Sequence, residues 1–227
     1  WKKNNLGVGW VLGETLLTGI GQGYIQTTPV QLCLMTAQLA NGGFKIYPRI
    51  TFDKDYEDYE TIKYKMAQKI VEREHSKIGL LETSKELIFS SKNKYNLLFR
   101  NQENVKFILD SMYGSTNEVR GTSYRSRIDD KKYQFAGKTG TAQVKRITAE
   151  ARELDLKTSE IPYEDRDHAL YVAYGPYKNP RYALSILIEH GGSGSSAAAP
   201  IAKKLFKLII DRHDLREKIR KENQTEA

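Results

Sequence analysis

Residues 168–192 read HALYVAYGPYKNPRYALSILIEHGG, and their pattern decides the fold. Apolar side chains alternate on either side of Gly175-Pro176-Tyr177-Lys178-Asn179-Pro180, a run built from residues that turn a chain. A period of two places Leu170, Val172 and Tyr174 on one face of a strand, and Tyr182, Leu184, Ile186 and Ile188 on one face of the next. The expectation is an antiparallel hairpin. Residues 195–212, SSAAAPIAKKLFKLIIDR, then predict a helix whose Ile201, Leu205, Phe206, Leu208 and Ile209 form a broad apolar stripe lying across the sheet. The last fifteen residues, HDLREKIRKENQTEA (213–227), are charged all round and are expected to fray into solvent.

Moving toward the N-terminus, residues 27–43, TTPVQLCLMTAQLANGG, carry a helix with both ends marked. Thr28 can cap, Pro29 suits the first helical position, Gln31 stands where a capping-box partner belongs, and Asn41-Gly42-Gly43 stops the helix. Gly19, Gly21 and Gly23 precede it, supplying either a tight turn or a close approach to a ligand. A second helix is expected over Asn104 to Tyr113, with Val105, Ile108, Leu109 and Met112 at helical spacing. Residues 51–102 are charged and irregular, a surface excursion with no assigned chemistry, and 145–167 have the composition of a polar loop bordering the site. The expected class is α/β of the α+β type: an antiparallel sheet packed with helices. Residues 1–212 would form one partial domain, and 213–227 a charged tail.

Composition limits the chemistry. In 227 residues, 39% apolar side chains suffice for a core. The net charge of +8 comes from scattered lysines and reads as a solvated basic surface, so no nucleic-acid partner is expected. Tyr124, Arg125 and Arg127 make a basic aromatic stretch that reads as a solvated loop. Cys33 is the single cysteine, and His75, His168, His190 and His213 lack ligand spacing; neither a metal nor a cofactor is expected. Glu14 and Glu189 form no recognisable carboxylate pair. No apolar run reaches the roughly 18 residues that a membrane span needs. The sequence opens on Trp1, and a piece of a longer polypeptide is expected.

The chemistry-bearing stretch is FAGKTGTAQV, Phe135 to Val144. A phosphate-binding loop would need a glycine six positions before Gly-Lys-Thr's lysine, where Lys132 stands, so only the tail of that motif is present. Lys138-Thr139-Gly140 followed by Thr141 instead matches K-T-G, a signature of the serine enzymes that react with penicillin. Ser91-Lys92-Asn93-Lys94 fits S-x-x-K, while Ser91-Lys92-Asn93 and Ser115-Thr116-Asn117 fit S-x-N. The gaps between 91, 115 and 138 are too short for the helical subdomain that the serine enzymes this motif resembles insert between their signatures, and all three matches are read as accidental.

The segments GIGQGYIQTTPVQLCLMTAQLANGG, GKTGTAQV and HALYVAYGPYKNPRYALSILIEHGG stand in the order found in class B penicillin-binding proteins. The chain most resembles the C-terminal part of the transpeptidase domain in their elongation-associated branch. That resemblance implies the penicillin-binding, serine β-lactamase-like fold, with Lys138, Thr139 and Gly140 on an edge strand beside the hairpin. It implies that a serine attacks a D-alanyl-D-alanine carbonyl and that an amine of a second stem peptide resolves the acyl-enzyme. Thr141 would donate its N–H to the oxyanion, and Lys138 would supply positive charge and help move protons. The hydroxyls of Thr139 and Thr141 would hold the carboxylate of the stem peptide or of a β-lactam. His190-Gly191-Gly192 resembles the family's glycine-rich exit from the last strand. The S-x-x-K serine and the S-x-N motif would lie upstream of Trp1, so the nucleophile is expected to be absent. By the same resemblance, the setting is the outer face of the bacterial inner membrane, with peptidoglycan stem peptides, β-lactams and membrane proteins of the elongation complex as partners. Two alternatives remain: an inactive split or decayed module without acyl transfer, and a β-lactamase or D,D-carboxypeptidase-like hydrolase.

Overall fold

The computed structural model describes residues 1–48, 97–99, 101–144 and 158–225. In chain order its elements are α1 (Lys2–Leu6), α2 (Leu12–Gly19), α3 (Pro29–Ala40), α4 (Gln102–Asn117), β1 (Ala136–Ala142), β2 (His168–Gly175), β3 (Tyr182–Ile188) and α5 (Ala199–Thr225). The hairpin forms as its alternation requires. β2 and β3 pair antiparallel with Ala169 opposite Ile188 and Gly175 opposite Tyr182. β1 adds to the other side of β2, again antiparallel, with Ala136 opposite Tyr174 and Ala142 opposite His168. The sheet order is β1-β2-β3, which leaves β1 at one edge.

Alternation along β2 feeds two separate cores. Ala169, Tyr171 and Ala173 point to one face and pack with Phe135, Ile186 and α5. Tyr174 and Val172 point to the other, where Ala40 from α3 and Met112 from α4 close over Ala136. On the first face Phe206 stacks on Phe135 with ring centroids 4.9 Å apart, and neither ring is exposed. The residues of α5 that reach the sheet are Ala199, Ala202, Phe206 and Ile210, a helical i, i+3, i+7, i+11 row. Of the expected stripe, Phe206 is buried and Leu205 packs on the core, whereas Ile201 and Leu208 face solvent. Alanines seat the helix close to the sheet, and a reading weighted toward large aliphatic side chains passes over them.

Both cores depend on helices whose ends are chemically fixed. In α3, the Thr28 hydroxyl accepts from Gln31 N–H and Gln31 Oε1 accepts from Thr28 N–H at 2.8 Å, the reciprocal box expected from the sequence. α4 begins where Asn101 Oδ1 accepts from Glu103 N–H and continues to Asn117, one turn beyond the expected Tyr113. Gly114-Ser115-Thr116-Asn117 is poor helix-forming sequence, but Asn117 Nδ2 donates to Phe135 O at 2.9 Å and Thr116 bonds to Gly137. Tertiary bonds hold that last turn. The expected fraying of 213–227 is likewise replaced by helix through Thr225. Lys132 bridges Asp211 and Asp214, Arg181 approaches Glu217, and His213 hydrogen-bonds Glu217, so polar contacts line α5 past its apolar half. The expected excursion lies outside the described residues from 51 to 96, as does the loop from 145 to 157.

Candidate active site on the edge strand

The edge of β1 owes its geometry to the antiparallel ladder. In such a pair, one residue turns both backbone polar groups toward the partner strand and the next turns both away. Gly137 fixes the phase: its N–H donates to Thr116 Oγ1 at 3.0 Å and its carbonyl lies 3.3 Å from the same hydroxyl, both on the α4 side. Thr139 and Thr141 therefore also direct their N–H and C=O groups to the outer edge, away from β2. The Lys138 ammonium agrees with this phase, donating to Thr139 O at 2.8 Å.

An open cleft of about 800 Å³ runs between α3, α4 and this edge. Met35 and Leu39 from α3, Phe107 and Ile108 from α4, and Val172 from β2 make its walls largely apolar, and Lys138 reaches into it. Phe107 is 73% exposed, so a large aromatic face stands uncovered at the mouth. At the polar end a row of hydroxyls leads to the strand: Ser115 Oγ to Thr122 Oγ1 at 3.2 Å, then Thr122 Oγ1 to Thr139 Oγ1 at 3.3 Å. The arrangement offers outward amides, one ammonium and several hydroxyls beside an apolar trough. Such a surface suits an extended ligand that carries a carboxylate and lies along the strand edge.

Lys138, Thr139, Gly140 and Thr141 thus fall on one strand, and of the four Lys138 lines the cleft. Ser91 and Lys94 lie outside the described residues. Ser115-Thr116-Asn117, read as an accidental S-x-N, is the last turn of α4 and sits directly against β1. Thr116 and Asn117 are occupied as struts, and Ser115 lines the cleft. Arg127 lies over the Tyr124 ring, 4.0 Å from its centroid, and its Nε donates to Asp129, so the Arg127 guanidinium is satisfied locally. His190 takes a left-handed conformation (φ 54°) at the strand exit; its N–H donates to His168 Nδ1 at 3.0 Å. Glu14 is paired with Lys2, far in sequence from Glu189. Among the described residues, no group of three or more histidine, cysteine or acidic side chains could hold a metal ion.

Sequence reasoning missed Thr122, Ser123 and Tyr171. Thr122 reaches Thr139, while the Ser123 and Tyr171 hydroxyls meet at Thr116. Tyr171 has its phenol pushed to a higher pKa by burial, partly offset by hydrogen bonds with Ser123 and Thr116, and it stays neutral in the ordinary pH range. Strand alternation separates Tyr171 from Leu170 and Val172, but no spacing rule links it to residue 116.

Residues 2–207 match the family described as penicillin binding protein transpeptidase domain. A peptidoglycan D,D-transpeptidase MrdA from Haemophilus influenzae is 30% identical over 211 residues, covering 93% of this chain and 28% of the relative. The MrdA protein of Acinetobacter baumannii is 30% identical over 210 residues, 91% of this chain and 26% of the relative. Among solved structures, PBP2 of Pseudomonas aeruginosa in complex with WCK 5153 superposes with a TM-score of 0.59 at 29% identity, covering 92% of this chain and 36% of that one. PBP2 of Helicobacter pylori, solved as a complex with MreC, gives a TM-score of 0.61 at 27% identity, covering 92% and 30%. The chain therefore spans under a third of the length of these curated relatives.

Proposed function

The chain belongs to the penicillin-binding protein transpeptidase family, and from that premise we propose that β1 forms one wall of a peptidoglycan D,D-transpeptidase site whose nucleophile lies outside these 227 residues. The observation that carries the reading is the phase of β1, which turns the Thr141 amide toward the open edge beside Lys138. An acyl-transfer site needs N–H donors aimed where the carbonyl oxygen gains charge. Thr141 N–H is one such donor. The N–H of the attacking serine would be the second.

The remaining groups follow the path of the substrate. A D-alanyl-D-alanine stem lying antiparallel to β1 would meet outward backbone groups at 139 and 141, and its terminal carboxylate would fall near the hydroxyls of Thr139 and Thr141 and the Lys138 ammonium. The serine of an S-x-x-K helix attacks the carbonyl carbon; its proton passes to a nearby base, the C–N bond to the terminal alanine breaks, and that amine leaves protonated. An amine from a second stem then forms the new amide and releases the serine. Lys138 is suited to the electrostatic part of this cycle, because a fixed ammonium favours the bound carboxylate and neighbouring proton shifts. The uncovered apolar cleft wall at Met35, Phe107 and Ile108 suits packing against the helix that would bring the serine in. A β-lactam would enter the same position as the stem terminus. By extension from the PBP2–MreC complex, membrane proteins of the elongation complex would be the partners, and the outer face of the inner membrane would be the corresponding setting. Among the described residues no helix is long and apolar enough to cross a membrane.

Thr141→Pro tests the assignment in a protein extended upstream through an S-x-x-K serine. The substitution deletes an N–H that the ladder does not use, so folding should tolerate it at this edge position. Acylation by a penicillin should slow about 10²- to 10³-fold, the usual cost of losing one oxyanion donor. An unchanged acylation rate would remove Thr141 from the site.

A further inference from the structure

We propose that Thr116, Ser123 and Tyr171 act as positioning residues, a buried hydroxyl clamp that grips Gly137 and thereby sets where the Thr139 and Thr141 amides stand; this rests on the reading of β1 as an oxyanion wall. All three side chains are buried, at 0%, 1% and 0% exposed, and they come from the last turn of α4, the loop after it, and β2. Tyr171 Oη lies 2.8 Å from Thr116 Oγ1 and 3.1 Å from Ser123 Oγ, and Ser123 Oγ donates to Ser115 O at 3.0 Å. Thr116 Oγ1 also accepts from Gly137 N–H.

A hydroxyl has one proton to give and two lone pairs to receive, and these contacts can satisfy that count throughout. Gly137 N–H and Tyr171 O–H donate to Thr116, Thr116 O–H donates to the Met112 or Gly137 carbonyl, and Ser123 O–H donates to Ser115 O. The network is closed away from water, so removing one member leaves a buried polar group unpaired. Glycine at 137 is part of the design, because a Cβ there would stand 2.5 Å from the Tyr171 hydroxyl and 2.7 Å from Val172 O.

The functional consequence comes from the ladder. An edge strand has a neighbour on one side only and can rise or roll at its free margin. Gly137 is the first outward-facing position of β1, two residues before Thr139 and four before Thr141. Taking up its N–H at Thr116 pins the free margin at one end and leaves the next two outward positions for a ligand. Tyr171 pairs with Thr139 in the register while its hydroxyl reaches back to the clamp, so it ties both positions to β2. Small displacements of catalytic groups cost rate steeply, up to about 100-fold per ångström. None of the three hydroxyls needs to touch substrate.

Two measurements test the clamp, and one of them needs no acylation. In the 227-residue chain, Thr116→Val should speed deuterium exchange at Gly137 N–H about tenfold relative to Ala136 and Lys138, and Thr116→Ser should return it to near the wild-type rate. Tyr171→Phe keeps the ring and should give a smaller acceleration, which preserves the test if the valine variant fails to fold. Exchange at Gly137 that is indifferent to Thr116→Val, or that Thr116→Ser does not restore, overturns the clamp whatever the reaction proves to be. In the upstream-extended protein, Thr116→Val should lower the first-order acylation constant for a penicillin about tenfold or more, leave the affinity of the preceding complex within about threefold, and be rescued by Thr116→Ser. Faster Gly137 exchange with unchanged acylation overturns the positioning role. If the extended protein shows no acylation at all, the transpeptidase reading fails, and the exchange result alone decides the clamp.

Discussion

The first 25 residues and the β1–α5 unit are built on opposite terms. α1 and α2 contain no buried residue, although Leu6, Leu12, Leu16 and Leu17 are among their large apolar side chains and Trp1, Trp10 and Ile20 flank them, all exposed. Their contacts are local: Lys2 pairs with Glu14, Trp10 Nε1 donates to Thr15, and Trp1 lies beside Tyr24. In the sheet unit, by contrast, Phe135, Tyr171, Ala173 and Phe206 are wholly buried. Short helices are marginal in water without tertiary packing, so area removed from water is what separates the two regions. The edge that carries Lys138 and Thr141 belongs to the part with buried cores.

That contrast can be broken by substitution, and the largest effect is expected inside the sheet unit. Phe206→Ala should cost about 3–5 kcal/mol of unfolding free energy, whereas Leu16→Ala in α2 should stay within about 0.5 kcal/mol, both read from chemical denaturation. Equal losses at the two sites would mean that α2 packs on the body. Gly137→Ala should follow at about 1–3 kcal/mol, since its Cβ meets the Val172 carbonyl and cannot be relieved by a rotamer change. Thr28→Ala should cost about 1 kcal/mol through loss of the α3 cap, with Thr28→Ser largely neutral.

The smallest effect is electrostatic and sharpens where the packed region ends. Hydrogen bonds from Tyr133 and Lys132 hold the Asp211 carboxyl below its ordinary value of 3.8. A lowered folded-state pKa means that this contribution is fully present above the unfolded value and fades as pH falls through the folded one. Acid titration of thermal stability should therefore show a small loss beginning below about pH 4 that Asp211→Asn abolishes, and added salt should shrink it because the group is solvent-exposed. A wild-type and Asp211→Asn pair with parallel acid profiles would show that α5 is held by its apolar half alone.

Much of this architecture was legible in the sequence, for identifiable reasons. The hairpin announced itself because a period of two persists on both sides of a turn-forming run. α3 was legible at residue precision because Thr28, Pro29 and Gln31 each have a distinct chemical duty at a helix start. The seat of α5 was harder: Ala199 and Ala202 bury themselves through their small size, a property that hydrophobicity ranks poorly, while Ile201 and Leu208 point outward. Along its extension to Thr225 it meets Lys132 and Arg181, which are remote in sequence, through Asp211, Asp214 and Glu217. At the site, K-T-G marked the strand, but the phase of its amides came from Gly137 and Thr116, a pairing 21 residues apart that no local pattern encodes. The S-x-N match at 115–117 drew attention to the right turn for the wrong chemistry.

The most direct test of the account is covalent labelling with a fluorescent penicillin, comparing the 227-residue chain with the same chain extended upstream through an S-x-x-K serine. A wall without a nucleophile predicts no covalent label on the short chain and stoichiometric label on the extended one, lost when the upstream serine is changed to alanine. Labelling of the short chain that disappears with Ser91→Ala would contradict it, placing the nucleophile within these 227 residues.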